Sequence, residues 1–146
     1  VIARTDARAG EGLQAAIARA HAYREAGADV IFVESPRSEA ELAEIGRAFP
    51  GVPLLANMVE GGRTPILPAA RLQALGFRLA IYPNALTRLF AKAGLEMLAS
   101  LRDTGDSNAM APRMLSHGEL WTLFDNATWR ALEDRYLSSS PACGRG

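Results

Sequence analysis

The side chains of this chain that could do chemistry sit where its apolar runs stop. Val1-Ile2-Ala3 gives way to Arg4-Thr5-Asp6, Val30-Ile31-Phe32-Val33 to Glu34-Ser35-Pro36, Pro53-Leu54-Leu55-Ala56 to Asn57, and Leu79-Ala80-Ile81-Tyr82 to Pro83-Asn84. A guanidinium such as that of Arg4 has fixed, forked donors that match a carboxylate at two points. Glu34 directly follows an apolar run, so it would be partly desolvated and would need a cation, a metal-bound water or Arg4 itself beside it. Asn57 can offer both a donor and an acceptor to a ligand oxygen. An arginine, acids and an amide brought together could hold a small anion. Each residue also has a plainer reading: Arg4 could pair with Asp6 or Glu34, and an asparagine at a strand end often serves the following turn.

A second candidate is the loop Glu60-Gly61-Gly62-Arg63-Thr64-Pro65, either mobile or wrapped around something. Its glycines could present backbone N–H groups to an anion, with Arg63 as counter-charge and Thr64 as hydroxyl donor. A lone Gly-Gly is a weak signal, and no Gly-x-Gly-x-x-Gly or phosphate-loop spacing occurs in the chain. His21 falls on a helical stretch and His117 at the start of another. No His/Cys/Asp cluster has metal-ligand spacing, and no serine sits in a nucleophile elbow.

The elements that must position these groups follow from periodicity. Leu13, Ala16, Ile17, Ala20 and Tyr23 recur at helical spacing before Gly27, a left-handed stop. Ser38-Glu39-Ala40-Glu41 has the form of a capping box ahead of Leu42, Ile45 and Phe49. A short helix is expected from about Pro68 to Leu75 with Gly76 behind it. A longer one, roughly Leu86 to Arg102, carries Leu86, Leu89, Phe90, Ala93, Met97, Leu98 and Leu101 on one side, ending at Gly105. Strand-then-helix units in succession predict right-handed crossovers and a parallel sheet, whose strand C-termini all emerge on one edge. The fold class is α/β: four such units are half of a (β/α)8 TIM-type barrel, the other choice being a small open doubly wound sheet.

The organisation expected is a half-barrel over residues 1–105, a C-terminal helical extension over 106–137 and a disordered tail over 138–146. In the extension, Asp106-Ser107-Asn108 reads as a linker and Ser116 to Phe124 and about Thr128 to Leu137 as two short helices. Ser116-His117-Gly118-Glu119 repeats the capping-box form. Leu115, Leu120, Trp121, Phe124, Trp129, Leu132 and Tyr136 are more apolar surface than these helices can bury between themselves, so they need a partner surface, in this chain or in a neighbouring subunit.

At 146 residues, with hydrophobic residues making up 49%, the chain can bury a single core. Its 16 basic and 16 acidic residues balance, which leaves no net field to draw nucleic acid or a membrane surface. No apolar stretch approaches the roughly 18 to 20 residues needed to cross a bilayer. The single cysteine, Cys143, excludes an internal disulfide and fits a reducing, cytoplasmic setting. The chain opens on an apolar strand of a kind buried on both faces, without an initiator methionine, and is therefore expected to be the C-terminal part of a longer one.

Several stretches resemble a known family. Val1-Ile2-Ala3-Arg4-Thr5-Asp6-Ala7, Glu25-Ala26-Gly27-Ala28-Asp29 leading to Phe32-Val33-Glu34, Leu55-Ala56-Asn57-Met58-Val59-Glu60-Gly61-Gly62-Arg63-Thr64-Pro65, and Ile81-Tyr82-Pro83 are similar, in this order, to the isocitrate lyase/phosphoenolpyruvate mutase superfamily. The Asn57 to Pro65 stretch and the tail from Glu119 to Tyr136 look closest to its methylisocitrate lyase, dimethylmalate lyase and oxaloacetate-hydrolysing branch, often labelled carboxyphosphonoenolpyruvate phosphonomutase-like. This resemblance implies a (β/α)8 barrel enzyme that binds Mg2+ and a small 2-oxo or 2-hydroxy di- or tricarboxylate. It would break or form a C–C or P–C bond through an enolate.

Carried onto this chain, Arg4 would bind the substrate carboxylate and the oxygen that gains negative charge, and Glu34 would face the water shell of the metal. Asn57 would contact another carboxylate, and Thr64 and Pro65 would shape the pocket. The resemblance also implies a homo-oligomer, commonly a tetramer, in which the C-terminal helices pack on a neighbouring subunit. The family's metal-binding aspartates and gating loop belong to strands ahead of Val1. The direct Mg2+ ligands are thus expected in an absent N-terminal half, and the 146 residues assayed alone are expected to be inactive. A phosphonate-forming mutase and a non-catalytic half-barrel binding module are the alternative readings.

Overall fold

Strand and helix alternate along the chain as the apolar periods require. The computed structural model describes residues 1–137; the tail expected to be disordered, with Cys143, lies outside the described residues. Strands β1 (Ile2–Thr5), β2 (Val30–Val33), β3 (Leu54–Asn57) and β4 (Phe77–Ile81) form one sheet in the order β1-β2-β3-β4, every neighbouring pair parallel. Between them lie helices α1 (Ala7–Gly10), α2 (Leu13–Glu25), α3 (Glu39–Ala48) and α4 (Ala69–Ala74), and α5 (Ala85–Thr104) follows β4. This is the expected run of four parallel βα units, with α1 an added turn that has no apolar period of its own.

The central strands are the buried ones. Ile31, Phe32 and Val33 of β2 and Leu54, Leu55 and Ala56 of β3 are all buried, as continuous apolar runs in a covered parallel sheet should be. The first strand, expected to be buried on both faces, is an open edge instead: Ile2 is 55% exposed, since β1 has a strand neighbour on one side only. At the opposite edge β4 exposes Leu79 and Ile81, and a bulge interrupts its pairing with β3, where Leu54 faces Phe77 but Leu55 faces Leu79.

Helices α2 and α3 cover the sheet with the stripes that their spacing implies. Ala16, Ile17 and Ala20 are buried with Leu13 and Tyr23 packed against them, and Leu42, Ile45 and Phe49 close the core around Ile31, Leu54 and Met58. Gly27 and Gly76 take positive φ, 103° and 97°, as helix stops. The capping box at α3 is only half formed. Ser38 accepts from the Glu41 N–H, but the Glu41 carboxylate turns to the Arg37 N–H and to Arg8.

The chain divides into two compact units, Val1–Ala91 and the segment from Lys92 onward, with α5 running through the boundary. The apolar stripe of α5 is present in sequence, yet no residue of this helix is buried among the described residues. In the second unit the stretch expected as a linker continues into a 3-10 turn over Asn108–Arg113, started by the Asp106 side chain accepting from the Asn108 N–H at 2.8 Å. Helices α6 (His117–Leu123) and α7 (Asn126–Leu137) follow, and α6 opens with a complete capping box between Ser116 and Glu119. Trp121 and Trp129 remain more than half exposed.

Candidate active site

The parallel ladders continue one residue past β2 and β3 and thereby fix where the polar groups stand. The Glu34 N–H donates to the Thr5 carbonyl at 3.0 Å, and the Met58 N–H to the Ile81 carbonyl at 2.8 Å. Thr5, a buried polar residue, satisfies its hydroxyl by accepting from the Ala7 N–H at 3.2 Å, which turns the chain away from the sheet. Arg4, Glu34 and Asn57 therefore end three adjacent strands on the same edge of the sheet, as the sequence implies.

Glu34 is the meeting point. Asn57 Nδ2 donates to its two carboxylate oxygens over long distances, 3.3 and 3.5 Å, and the Ser35 hydroxyl donates to Oε1 at 3.1 Å. Arg4 Nη1 lies 3.6 Å from Oε2, an ion-pair distance rather than a hydrogen bond. The fork of Arg4 is engaged elsewhere: Nε and Nη2 donate to Asp6 at 3.0 and 2.8 Å, and the guanidinium carbon stands 5.0 Å from the centre of the Phe32 ring. The hydrogen bond to Asp6 is the main reason the Arg4 guanidinium holds its proton more tightly than usual, and the Arg4 bond in turn keeps the Asp6 carboxyl below its ordinary value. Both side chains are about half exposed or more, so water screens this pair.

Beside Glu34 lies a cavity of about 230 Å³, lined by Glu34, Ser35, Asn57, Val59, Gly62, Arg63 and Thr64. Arg4 and Pro65 are not part of its wall. Asn57 Oδ1 is buried and has no hydrogen-bond partner among the described residues. An acceptor left unmatched beside a carboxylate asks for a donor from a ligand, such as a hydroxyl or a cation's water. A larger opening of about 380 Å³ at the edge of β4, among Leu72, Phe77 and Leu79, has no comparable convergence of polar side chains.

Two features of the site were not read from the sequence. Ser35 adopts a left-handed backbone, φ 59°, immediately before Pro36, and this turns its hydroxyl back onto Glu34. A polar residue squeezed between a strand-end acid and a proline was the available signal. Arg8 donates two hydrogen bonds, 2.8 and 2.6 Å, to Glu41 of α3 and so braces the segment after Arg4 against the segment after Glu34. Nothing in the spacing of residues 8 and 41 announces that pair. His21 lies on α2 with its ring against Phe49, centroids 4.3 Å apart.

The described residues hold no group of three His, Cys, Asp or Glu side chains able to bind a metal ion. Glu34 is the one acid of the cavity wall, and it is already shared by Ser35 and Asn57. These residues do not fit a directly bound divalent cation, which takes several oxygen ligands.

The sequence profile described as phosphoenolpyruvate phosphomutase matches residues 1–102. Over 138 residues the chain is 41% identical to 2,3-dimethylmalate lyase of Eubacterium barkeri, covering 94% of this chain and 47% of that one. Its coordinates superpose on oxaloacetate acetylhydrolase in complex with the product oxalate with a TM-score of 0.82 and 31% identity, covering 92% of this chain and 46% of that one. Phosphonopyruvate hydrolase, in complex with oxalate and Mg2+, gives a TM-score of 0.76 and 35% identity over 94% of this chain and 49% of its own. The chain thus spans about half the length of the curated relatives it matches.

Proposed function

The chain belongs to the phosphoenolpyruvate phosphomutase family, and on that premise we propose that it supplies the substrate-carboxylate half of a C–C bond lyase site acting on a 2-hydroxy or 2-oxo di- or tricarboxylate through an enolate. The observation that carries the reading is Glu34 at the end of β2, gathering Arg4, Ser35 and Asn57 onto one carboxylate beside a polar cavity. An enolate needs preorganised positive charge and hydrogen-bond donors where charge appears. In this reading Arg4 exchanges part of its hold on Asp6 for the substrate carboxylate and the enolate oxygen. Asn57 offers its second amide N–H to another carboxylate and its unpartnered Oδ1 to a substrate hydroxyl. Thr64 adds a donor on the cavity wall, and Pro65 fixes the chain just beyond it.

Mg2+ would supply Lewis-acid chemistry with ligands from outside the described residues, and Glu34 would meet only its water shell. In this reading the 146 residues alone do not turn over substrate, and an assay of the chain with Mg2+ checks it. The exposed Leu86, Phe90 and Trp129 are surface that homo-oligomeric assembly would cover; the tetramer itself comes from the family resemblance, and light scattering checks it.

Calorimetric titration of the chain with oxalate, parent against Arg4→Ala, tests the carboxylate role. Loss of heat in the variant supports it. Equal heats would leave Arg4 as the structural partner of Asp6 and sink the reading.

A further inference from the structure

We infer that Arg63 selects for the second carboxylate of the substrate, binding it at the cavity wall while the first is held by Arg4 beside Glu34. The inference rests on the reading above and adds a residue to it. The cavity beside Glu34 has one cation on its wall, and that cation is Arg63, not Arg4. Arg4, Arg8, Arg19, Arg71 and Arg88 are all engaged by acids of this chain, whereas Arg63 has no ion pair or side-chain hydrogen bond among the described residues. An anion entering next to the Glu34 carboxylate is repelled unless a free positive charge stands within reach, and the planar fork of an arginine meets a carboxylate at two points.

The backbone beneath Arg63 is held in place, unlike that of an ordinary surface arginine. Gly61 takes φ 73°, and the Gly62 N–H closes a turn onto the Val59 carbonyl at 2.9 Å. A Cβ on Gly62 would stand 2.9 Å from that same oxygen, so the turn admits no larger residue without moving. Upstream, Arg88 Nη1 donates to the Glu60 carbonyl at 2.7 Å. The cation thus follows a turn held at Glu60 and between Val59 and Gly62, and it lines the cavity together with Asn57 and Glu34.

The test uses the full chain and two stable probes: oxalate, the more compact, and propane-1,2,3-tricarboxylate, whose carboxylates stand farther apart. Calorimetric dissociation constants are compared for the parent, Arg4→Ala, Arg63→Gln and Arg63→Lys, with circular dichroism confirming that each variant is folded. Arg63→Gln should weaken the tricarboxylate by about tenfold or more, the size of a lost charge-assisted hydrogen bond, while changing oxalate less than about twofold. Arg63→Lys should restore part of the loss. Arg4→Ala should weaken both probes.

Equal effects of Arg63→Gln on the two probes, no effect on either, or a parent that binds oxalate but not the tricarboxylate would overturn the inference and leave the Arg4 reading standing. A parent that binds neither acid, or probes indifferent to Arg4→Ala, would overturn the reading itself and this inference with it.

Discussion

Gly46 of α3 faces the carbonyl of Leu75 at the end of α4 so closely that a Cβ built on it would stand 1.8 Å from the oxygen. Alanine at this position gains about 1 kcal/mol of helix propensity but must displace main chain, and overpacking against backbone costs about 1–3 kcal/mol. We expect Gly46→Ala to be destabilising by up to about 2 kcal/mol net. Gly94→Ala in α5, where nothing lies within 4 Å of the added carbon, should be stabilising by about 0.5–1 kcal/mol. Chemical denaturation of the two variants checks the contrast, and equal effects would contradict the close approach of α3 and α4.

Asn57 combines two long hydrogen bonds to Glu34 with a buried, unmatched Oδ1. Replacing it by leucine removes the weak bonds together with the orphaned acceptor, so Asn57→Leu should change stability by less than about 1 kcal/mol. Oxalate affinity should nevertheless fall. Asn57→Asp sets a second carboxylate against Glu34 and should be destabilising by about 1–3 kcal/mol at neutral pH. Thermal unfolding and titration of both variants would separate structure from binding; a strongly destabilised leucine variant would place Asn57 in a structural role.

Ser35 holds a left-handed backbone for the sake of its hydroxyl. Ser35→Gly relieves strain of about 1–2 kcal/mol while losing a hydrogen bond of about 1 kcal/mol and gaining unfolded-chain entropy, so its stability should be near that of the parent. Ser35→Ala keeps the strain and loses the bond, and should be destabilised by about 1 kcal/mol. Both should bind oxalate more weakly. An alanine variant as stable as the glycine variant would mean that the backbone at Ser35 is not strained.

Glu41 gives the fold a pH dependence with a definite sign. Its carboxyl is held below the ordinary value of 4.5, chiefly by the hydrogen bonds from Arg8, with the Arg37 N–H adding to them. A folded-state value below the unfolded one contributes stability that is present above 4.5 and is lost as the pH falls through the lowered value. The unfolding midpoint should therefore drop on acidification below 4.5, and Arg8→Ala should flatten that dependence. Asp6 shifts in the same direction through Arg4, but it is largely exposed and should contribute little. A profile unchanged by Arg8→Ala would assign the acid sensitivity to other carboxylates.

The sequence makes the parallel βα order legible because each strand is a short apolar run and each helix carries its own stripe and stop. The strand ends Arg4, Glu34 and Asn57 could be placed on one edge by topology alone, and the coordinates bring them together through Glu34. Their partners could not be read so easily. Arg4 turns its fork to Asp6 at 2.8 Å and leaves Glu34 at 3.6 Å, yet both acids lie within reach in sequence terms. The half-formed cap of α3 shows the same limit, since a Ser-x-x-Glu pattern cannot reveal that Arg8, 33 residues earlier, will compete for the glutamate. The stripe on α5 was visible too, but a period shows which face is apolar and not what covers it.

The hold of Arg88 on the Glu60 carbonyl gives the glycine-rich segment a character that its composition hides. With the Glu60 carbonyl strapped to the first turn of α5 and the Gly62 N–H closed onto Val59, the stretch leading to Arg63 is tied at two points. A stretch tied in this way would forfeit less entropy on meeting a ligand than a free glycine-rich loop of the same composition.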